Sequence, residues 1–187
     1  MNATRAALIH AMIAMILENG FEGLSVRDLA ARAGVSAGAV QHHFPSKSAM
    51  LEAAMDAITT SAGERYAELE SIADPGERLH AVVDLLVPGD ASDPAARVWL
   101  AFAARAAVDE STRESYAQLW SRLRAGIRML VAAASGELAS AEDSSIELLA
   151  LLDGLALSVV AEQNDDFRAV ARDLAHRRVD ALIAGGP

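Results

Sequence analysis

The sequence predicts an all-α protein: an N-terminal three-helix unit carrying a helix-turn-helix, joined by a long helix to a C-terminal helical bundle, about nine helices in all. Three observations predict this. Of the 187 residues, 52% are hydrophobic but only 4% aromatic. The apolar content is rich in alanine and leucine, which favour helix, and no long stretch alternates with a period of two. Helix start signals recur along the chain, separated by glycines and polar clusters.

The elements follow in order. In MNATRAALIHAMIAMILENG the apolar residues fall at helical spacing. The stretch lacks a basic leader and a small-residue cleavage site, so it reads as a helix near 4–19 and not as a signal peptide. Gly20 and Gly23 end it. Ser25, with Asp28 three residues on, has capping-box spacing and opens a helix near 26–33. Gly34 stops that helix, Ser36 opens 37–43, and Ser46 opens a long helix over 47–71. Asp74-Pro75, with Glu77 completing the box, starts 76–87, and Asp93-Pro94 repeats the cap–proline pair before 94–108. Ser111 with Glu114 and Ser140 with Asp143 predict helices over 112–134 and 141–163. The cluster Asn164-Asp165-Asp166 separates the latter from a last helix over 167–183. Two domains are expected, residues 1–47 and residues 48–187.

Charge and composition exclude several classes. There is no cysteine, hence no disulfide or thiolate metal cluster, which fits a cytoplasmic location. The longest apolar run, IELLALLDGLALSVVA at 146–161, is shorter than the ~20 residues of a membrane span and carries Asp153; no membrane partner is expected. The net charge of −10 argues against indiscriminate nucleic-acid binding. That charge is uneven. Residues 1–58 hold four basic and five acidic side chains, while residues 25–48 hold three basic and one acidic. Lys47 is the only lysine.

The mildly positive stretch contains SVRDLAARAGVSAGAVQHHF, residues 25–44. Ala30 is small where a second helix must cross closely. Gly34 permits the positive φ of a tight turn. Val26, Leu29, Val35 and Val40 fill the wedge between the helices, and Ser36 caps the second one. This is the pattern of a helix-turn-helix, whose second helix enters the major groove of DNA. An ordinary helical hairpin would share the small-residue turn. The preceding helix and the F-P-S-K exit into a long helix weigh toward the helix-turn-helix.

Residues 8–55 resemble the TetR family of transcriptional regulators. The resemblance rests on Gly20-Phe21 after the first helix, on Ala30, Gly34, Val35 and Ser36 in the small-residue turn, and on the exit Phe44-Pro45-Ser46-Lys47. More loosely, RVWLAFAARAAVDESTRESYAQLWSRLR and LLALLDGLAL resemble the ligand-binding half of the choline-responsive repressor subgroup. The resemblance implies base or groove contacts from Ala37, Gly38, Gln41 and His42. It implies phosphate contacts from Ser25, Arg27, His43 and Lys47, with Ser36 at the mouth of the reading helix. Many members carry a tyrosine where this chain has Gln41. Glutamine can pair bidentately with adenine N6 and N7, so a changed operator preference is expected.

Other candidates carry less chemistry. His42 and His43 are adjacent and point about 100° apart on a helix, which does not suit a metal pair. Glu77 and His80 form one E-x-x-H, whereas di-metal carboxylate bundles need two plus further glutamates. Asp173 and His176 read as a surface pair. No G-x-S-x-G or other nucleophile context appears. No catalytic residue, cofactor or metal is therefore assigned, and the chain is not expected to be an enzyme. Trp99, Phe102, Arg105, Tyr116 and Trp120 are candidate lining for a small-molecule effector pocket, although core packing would use the same rings. A cationic effector could use them through cation–π contact near Asp109, Glu110 or Asp153. An anionic one would favour Arg105 or Arg124. The apolar residues Leu148, Leu152, Leu155, Val159, Val170, Leu174 and Leu182 are candidates for a four-helix dimer interface. The expected function is a ligand-responsive repressor that binds double-stranded operator DNA as a homodimer. The rivals are a helical metal-binding or enzymatic bundle, and an adaptor using the helix-turn-helix to dock a protein.

Overall fold

A computed structural model describes residues 4–137 and 140–185. Among the described residues there are nine α-helices, two short 3-10 turns and no strand. The helices are α1 Arg5–Asn19, α2 Val26–Ala33, α3 Ala37–His43, α4 Lys47–Glu68, α5 Pro75–Leu86, α6 Pro94–Ala106, α7 Glu110–Ser135, α8 Ala141–Glu162 and α9 Asp165–Ile183. The expected fold class and helix order hold.

Most of the expected caps are made. The Ser25 hydroxyl accepts from the Asp28 N–H at 3.1 Å, Ser36 from Ala39 at 3.1 Å, and Ser46 from Ala49 at 3.1 Å. Asp74 accepts from Glu77 at 2.8 Å behind Pro75, and Asp93 from Ala95 at 2.8 Å behind Pro94. Such caps satisfy amides that the first turn leaves orphaned. Three expectations need correction. The N-terminus of α7 is capped by Asp109, which takes the Thr112 N–H at 3.0 Å, and not by Ser111. Ser140 makes no side-chain cap on α8. Asn164, read as part of a stop, caps α9 by accepting from Phe167 at 3.1 Å.

The outermost residues of the expected spans 1–47 and 48–187, residues 1–3 and 186–187, lie outside the described ones. One compact unit joins Met1–Ser61 to Arg97–Tyr116; the other joins Ala62–Ala96 to Ala117–Pro187. The core of the first is built by Leu8, Met12 and Ile16 of α1, Leu29 of α2, Val40 of α3, Met50 and Ile58 of α4, and Val98 and Phe102 of α6. Removing each large side chain from water stabilises by about 1.5–3 kcal/mol. The core of the second collects Leu79 and Val82 of α5, Ile127 and Val131 of α7, Leu148, Leu152 and Val159 of α8, and Ala175 and Val179 of α9.

Helix α8 is apolar nearly all round. Its mean hydropathy reaches 1.7 over a window long enough, by length and composition, to cross a membrane. Its inner side is core of the second unit, and five of the seven residues assigned to the interface belong to that core. Leu148, Leu152, Leu155, Val159 and Leu182 are buried within the chain's own bundle. Of the seven assigned residues, only Val170 and Leu174 are exposed. The outward apolar residues of α8 are instead Ile146 and Leu157. An all-round apolar helix carries no stripe from which the inner side could be read.

Candidate nucleic-acid interface

The reading element is α2–turn–α3. Gly34 ends α2 in the left-handed region, with φ 66° and ψ 34°. The Gly34 N–H bonds the Ala31 carbonyl at 3.3 Å and the Val35 N–H bonds the Ala30 carbonyl at 3.0 Å. These two bonds form a Schellman motif, which closes the end of α2 within the turn. Ser36 then starts α3 at once. Leu29, Ala30, Val40 and Phe44 are buried beneath the pair, so α3 is held by its inner side and by both ends.

The outer side of α3 is what this bracing presents. Ala37, Gly38, Gln41 and His42 are all exposed, and their spacing of i, i+1, i+4 and i+5 places them on one face. A Cβ built on Gly38 would meet nothing nearer than the Ser36 hydroxyl at 3.9 Å. The fold therefore does not require glycine there; the space lies open to whatever approaches α3. His43 is half-buried, its ring 5.4 Å from that of His42 and 6.2 Å from Phe44.

The flanking cations are not equivalent. Arg27 is 93% exposed and lies 3.9 Å from the carboxylate of its neighbour Asp28. Arg32, counted in the positive stretch, is engaged bidentately by Glu18 at 2.5 and 2.6 Å, which holds the Glu18 carboxyl below its usual range. Lys47 donates to the Glu22 carbonyl at 3.3 Å and lies 4.0 Å from the Glu22 carboxylate. Arg5 lies 5.4 Å over the Phe44 ring. Glu18, Glu22 and Arg5 were not singled out from sequence. Their partners lie far along the chain, beyond the reach of local spacing.

The candidate effector residues fall in both units. Trp99 stacks on Tyr116 at 5.3 Å, and both rings contact Phe102, at 5.5 and 5.7 Å, within the core of the first unit. Trp120 packs against the core of the second unit. Arg105 alone of the five borders a cleft of about 140 Å³, shared with Ser48, Glu52, Asp56, Asp109 and Thr112. Asp109 is held well below the usual carboxylate range by the Thr112 hydroxyl and N–H and by Ser111, with Arg105 adding to it. The E-x-x-H histidine meets a second histidine. His80 Nδ1 lies 2.8 Å from His176 Nδ1, with Asp180 3.1 Å from His80 Nε2 and Asp84 3.1 Å from His176 Nε2. Among the described residues no group of three metal-ligating side chains forms.

Comparison with known proteins decides the family. Residues 8–54 match the family model described as bacterial regulatory proteins, tetR family. Residues 75–184 match that of the BetI-type transcriptional repressor C-terminal domain. The chain belongs to the TetR family. The HTH-type transcriptional regulator BetI of Burkholderia cenocepacia is 34% identical, covering 96% of this chain and 94% of its own. The BetI 2 regulator of Chromohalobacter salexigens is 31% identical, over 96% and 88%. A transcriptional regulator from Rhodococcus superposes with a TM-score of 0.83 at 34% identity, over 98% and 97% of the two chains. A regulator from Saccharomonospora viridis, solved in complex with choline, also reaches 0.83, at 24% identity and over 92% and 93%. As a TetR-family chain with a BetI-type C-terminal half, the protein is a DNA-binding transcriptional regulator. Its α2–α3 pair is the helix-turn-helix.

Proposed function

We propose that this chain is a cytoplasmic homodimeric repressor that binds a palindromic operator and is released by a small-molecule effector, without catalysing a reaction. The observation that carries this is the outer face of α3: four exposed residues on a helix braced by a buried inner side. Two such helices in a dimer would sit about 34–36 Å apart, or a multiple of it, to enter successive major grooves. Gln41 and His42 would contact bases, with Ala37 and Gly38 giving close approach and Gln41 favouring adenine. Ser25, Arg27, Ser36, His43 and Lys47 would meet the backbone. Few cations are free, so the salt dependence should be modest. The acidic remainder of the chain would face away from the duplex, which reconciles −10 with DNA binding.

Exposed Ile146, Leu157, Val170 and Leu174 on α8 and α9 support a subunit interface, because large exposed apolar side chains on adjacent helices favour association. The choline complex of the Saccharomonospora neighbour makes choline the first effector to test. The decisive experiment is selection of bound sequences from random DNA. A palindromic site, bound by the dimer and released on adding effector, is the expected result. A non-palindromic or absent preference would overturn the operator assignment. Undiminished binding with saturating choline would reject choline as the releasing ligand.

A further inference from the structure

Four charged side chains of the first unit form an alternating series that ends at the reading element. Asp109 lies 2.9 Å from Arg105, Arg105 lies 3.1 Å from Glu22, and Glu22 lies 4.0 Å from Lys47. The outer end of the series is fixed. The free oxygen of Asp109 accepts from the Thr112 N–H at 3.0 Å, the Thr112 hydroxyl at 2.7 Å and the Ser111 hydroxyl at 2.8 Å. Helix α6, which carries Arg105, is itself tied to α1, because Arg97 donates to the Leu17 carbonyl at 3.0 Å. Glu22 sits in the 3-10 turn Phe21–Gly23, between buried Phe21 and Leu24. Its backbone is therefore anchored while its carboxylate is 84% exposed.

Glu22 is thus the one carboxylate among these contacts that faces Lys47, and Arg105 is its closer cation. Exposed ion pairs add little to stability. What this series governs is the charge that Lys47 presents. All its members lie well within a Debye length of about 8 Å of their neighbours, so they feel one another at physiological salt.

We propose that Glu22 is a positioning residue for operator binding and that Arg105 sets its effect. The Glu22 carbonyl aims Lys47. While Arg105 neutralises the Glu22 carboxylate, the lysine charge is available to a DNA phosphate. When Arg105 is withdrawn, the bare carboxylate holds Lys47 back and repels the phosphate. This assigns α6 a direct electrostatic hold on the DNA contact, and it rests on the phosphate role of Lys47 proposed above.

The test is the salt dependence of binding to the selected operator duplex, for intact dimers whose thermal unfolding matches the parent. Lys47→Gln is expected to lower the slope by about 0.9 per lysine. Arg105→Gln should weaken binding about two- to fivefold at low salt, and Glu22→Gln should strengthen it by a similar factor. The double variant Arg105→Gln/Glu22→Gln should bind like Glu22→Gln alone, because no carboxylate is left to neutralise. Arg105→Lys should restore the parent slope. If the two single effects simply add, or if Glu22→Gln weakens binding, the proposal is overturned while the repressor reading stands. If Lys47→Gln leaves the slope unchanged, the phosphate role of Lys47 falls, and this proposal with it. Should Arg105→Gln fail to fold, the sign of the Glu22→Gln effect still decides.

Discussion

Helices α2 and α3 differ from α8 and α9 in how their burial is specified. The first pair are short, eight and seven residues, and each turns a few small or branched side chains inward. Their termini are set by Ser25, Gly34 and Ser36, within hydrogen-bond reach of the residues they cap. The second pair are long, and α8 is apolar on both its inner and outer sides. In the reading pair, local chemistry defines both structure and surface. In the bundle, only packing decides which leucines become core and which remain outside.

The largest effects should come from the buried brace beneath α3. Phe44→Ala is expected to cost about 3–5 kcal/mol, measured by urea or thermal unfolding. It should abolish operator binding through loss of the fold. A neutral outcome would mean that the outer face of α3 does not depend on its inner side.

Two leucines of α8 sharpen the contrast. Leu152→Ala should cost about 2–5 kcal/mol, because Leu152 is buried in the chain's own core. Leu157→Lys should change subunit stability by less than about 0.5 kcal/mol, because its side chain is outside. The same substitution should shift sedimentation toward the monomer. Equal losses of stability for both would erase the distinction drawn between the two sides of α8.

Next come the residues of the exposed α3 face. Gln41→Ala should leave unfolding unchanged and lose about 1–3 kcal/mol of discrimination at one base pair of each half-site. Gly38→Ala should stabilise the fold by up to about 1 kcal/mol, since nothing crowds the added methyl. It should nevertheless weaken operator binding, measured by titration on the selected duplex. A variant that is both more stable and equally tight would show that the open space at Gly38 is not used by DNA.

The smallest effect is an acid limb. Thr112 and Ser111 hold the Asp109 carboxyl far below its ordinary range. A carboxyl depressed in the folded state contributes stability above its unfolded value, about pH 4, and loses it as the pH falls toward the folded value. Denaturant midpoints of the parent and Asp109→Asn should therefore differ at neutral pH and converge in acid. A difference that does not narrow below pH 4 would assign the effect of Asp109 to something other than its charge.

These differences explain what the sequence disclosed. The element order, the turn at Gly34 and most caps were legible, because a cap and its amide are three residues apart. So was the membership of the α3 face, because Val40 inside and Gln41 outside differ by one helical step. The inner side of α8 was not legible, because Leu148 and Leu157 are chemically alike and only neighbours from α5 and α9 separate them. The loss of Arg32 to Glu18, fourteen residues away, was equally hidden. So was the tie between Glu22 and Arg105, which bridges more than eighty residues. Among the aromatic candidates, helical spacing brings Trp99 near Phe102, but it says nothing of the stacking of Tyr116 on Trp99, which comes from a different helix.

The contact between His80 and His176 works as a crossed clasp. Two Nδ1 atoms at 2.8 Å bond when one of them carries the hydrogen between them. His80 of α5 turns its Nε2 to Asp180 of α9, and His176 of α9 turns its Nε2 to Asp84 of α5. Each helix thus supplies one imidazole and one carboxylate, and all three contacts run between the same two helices. Helices α5 and α9 are latched by polar groups at a place where the apolar pattern of the sequence gives no sign of a joint.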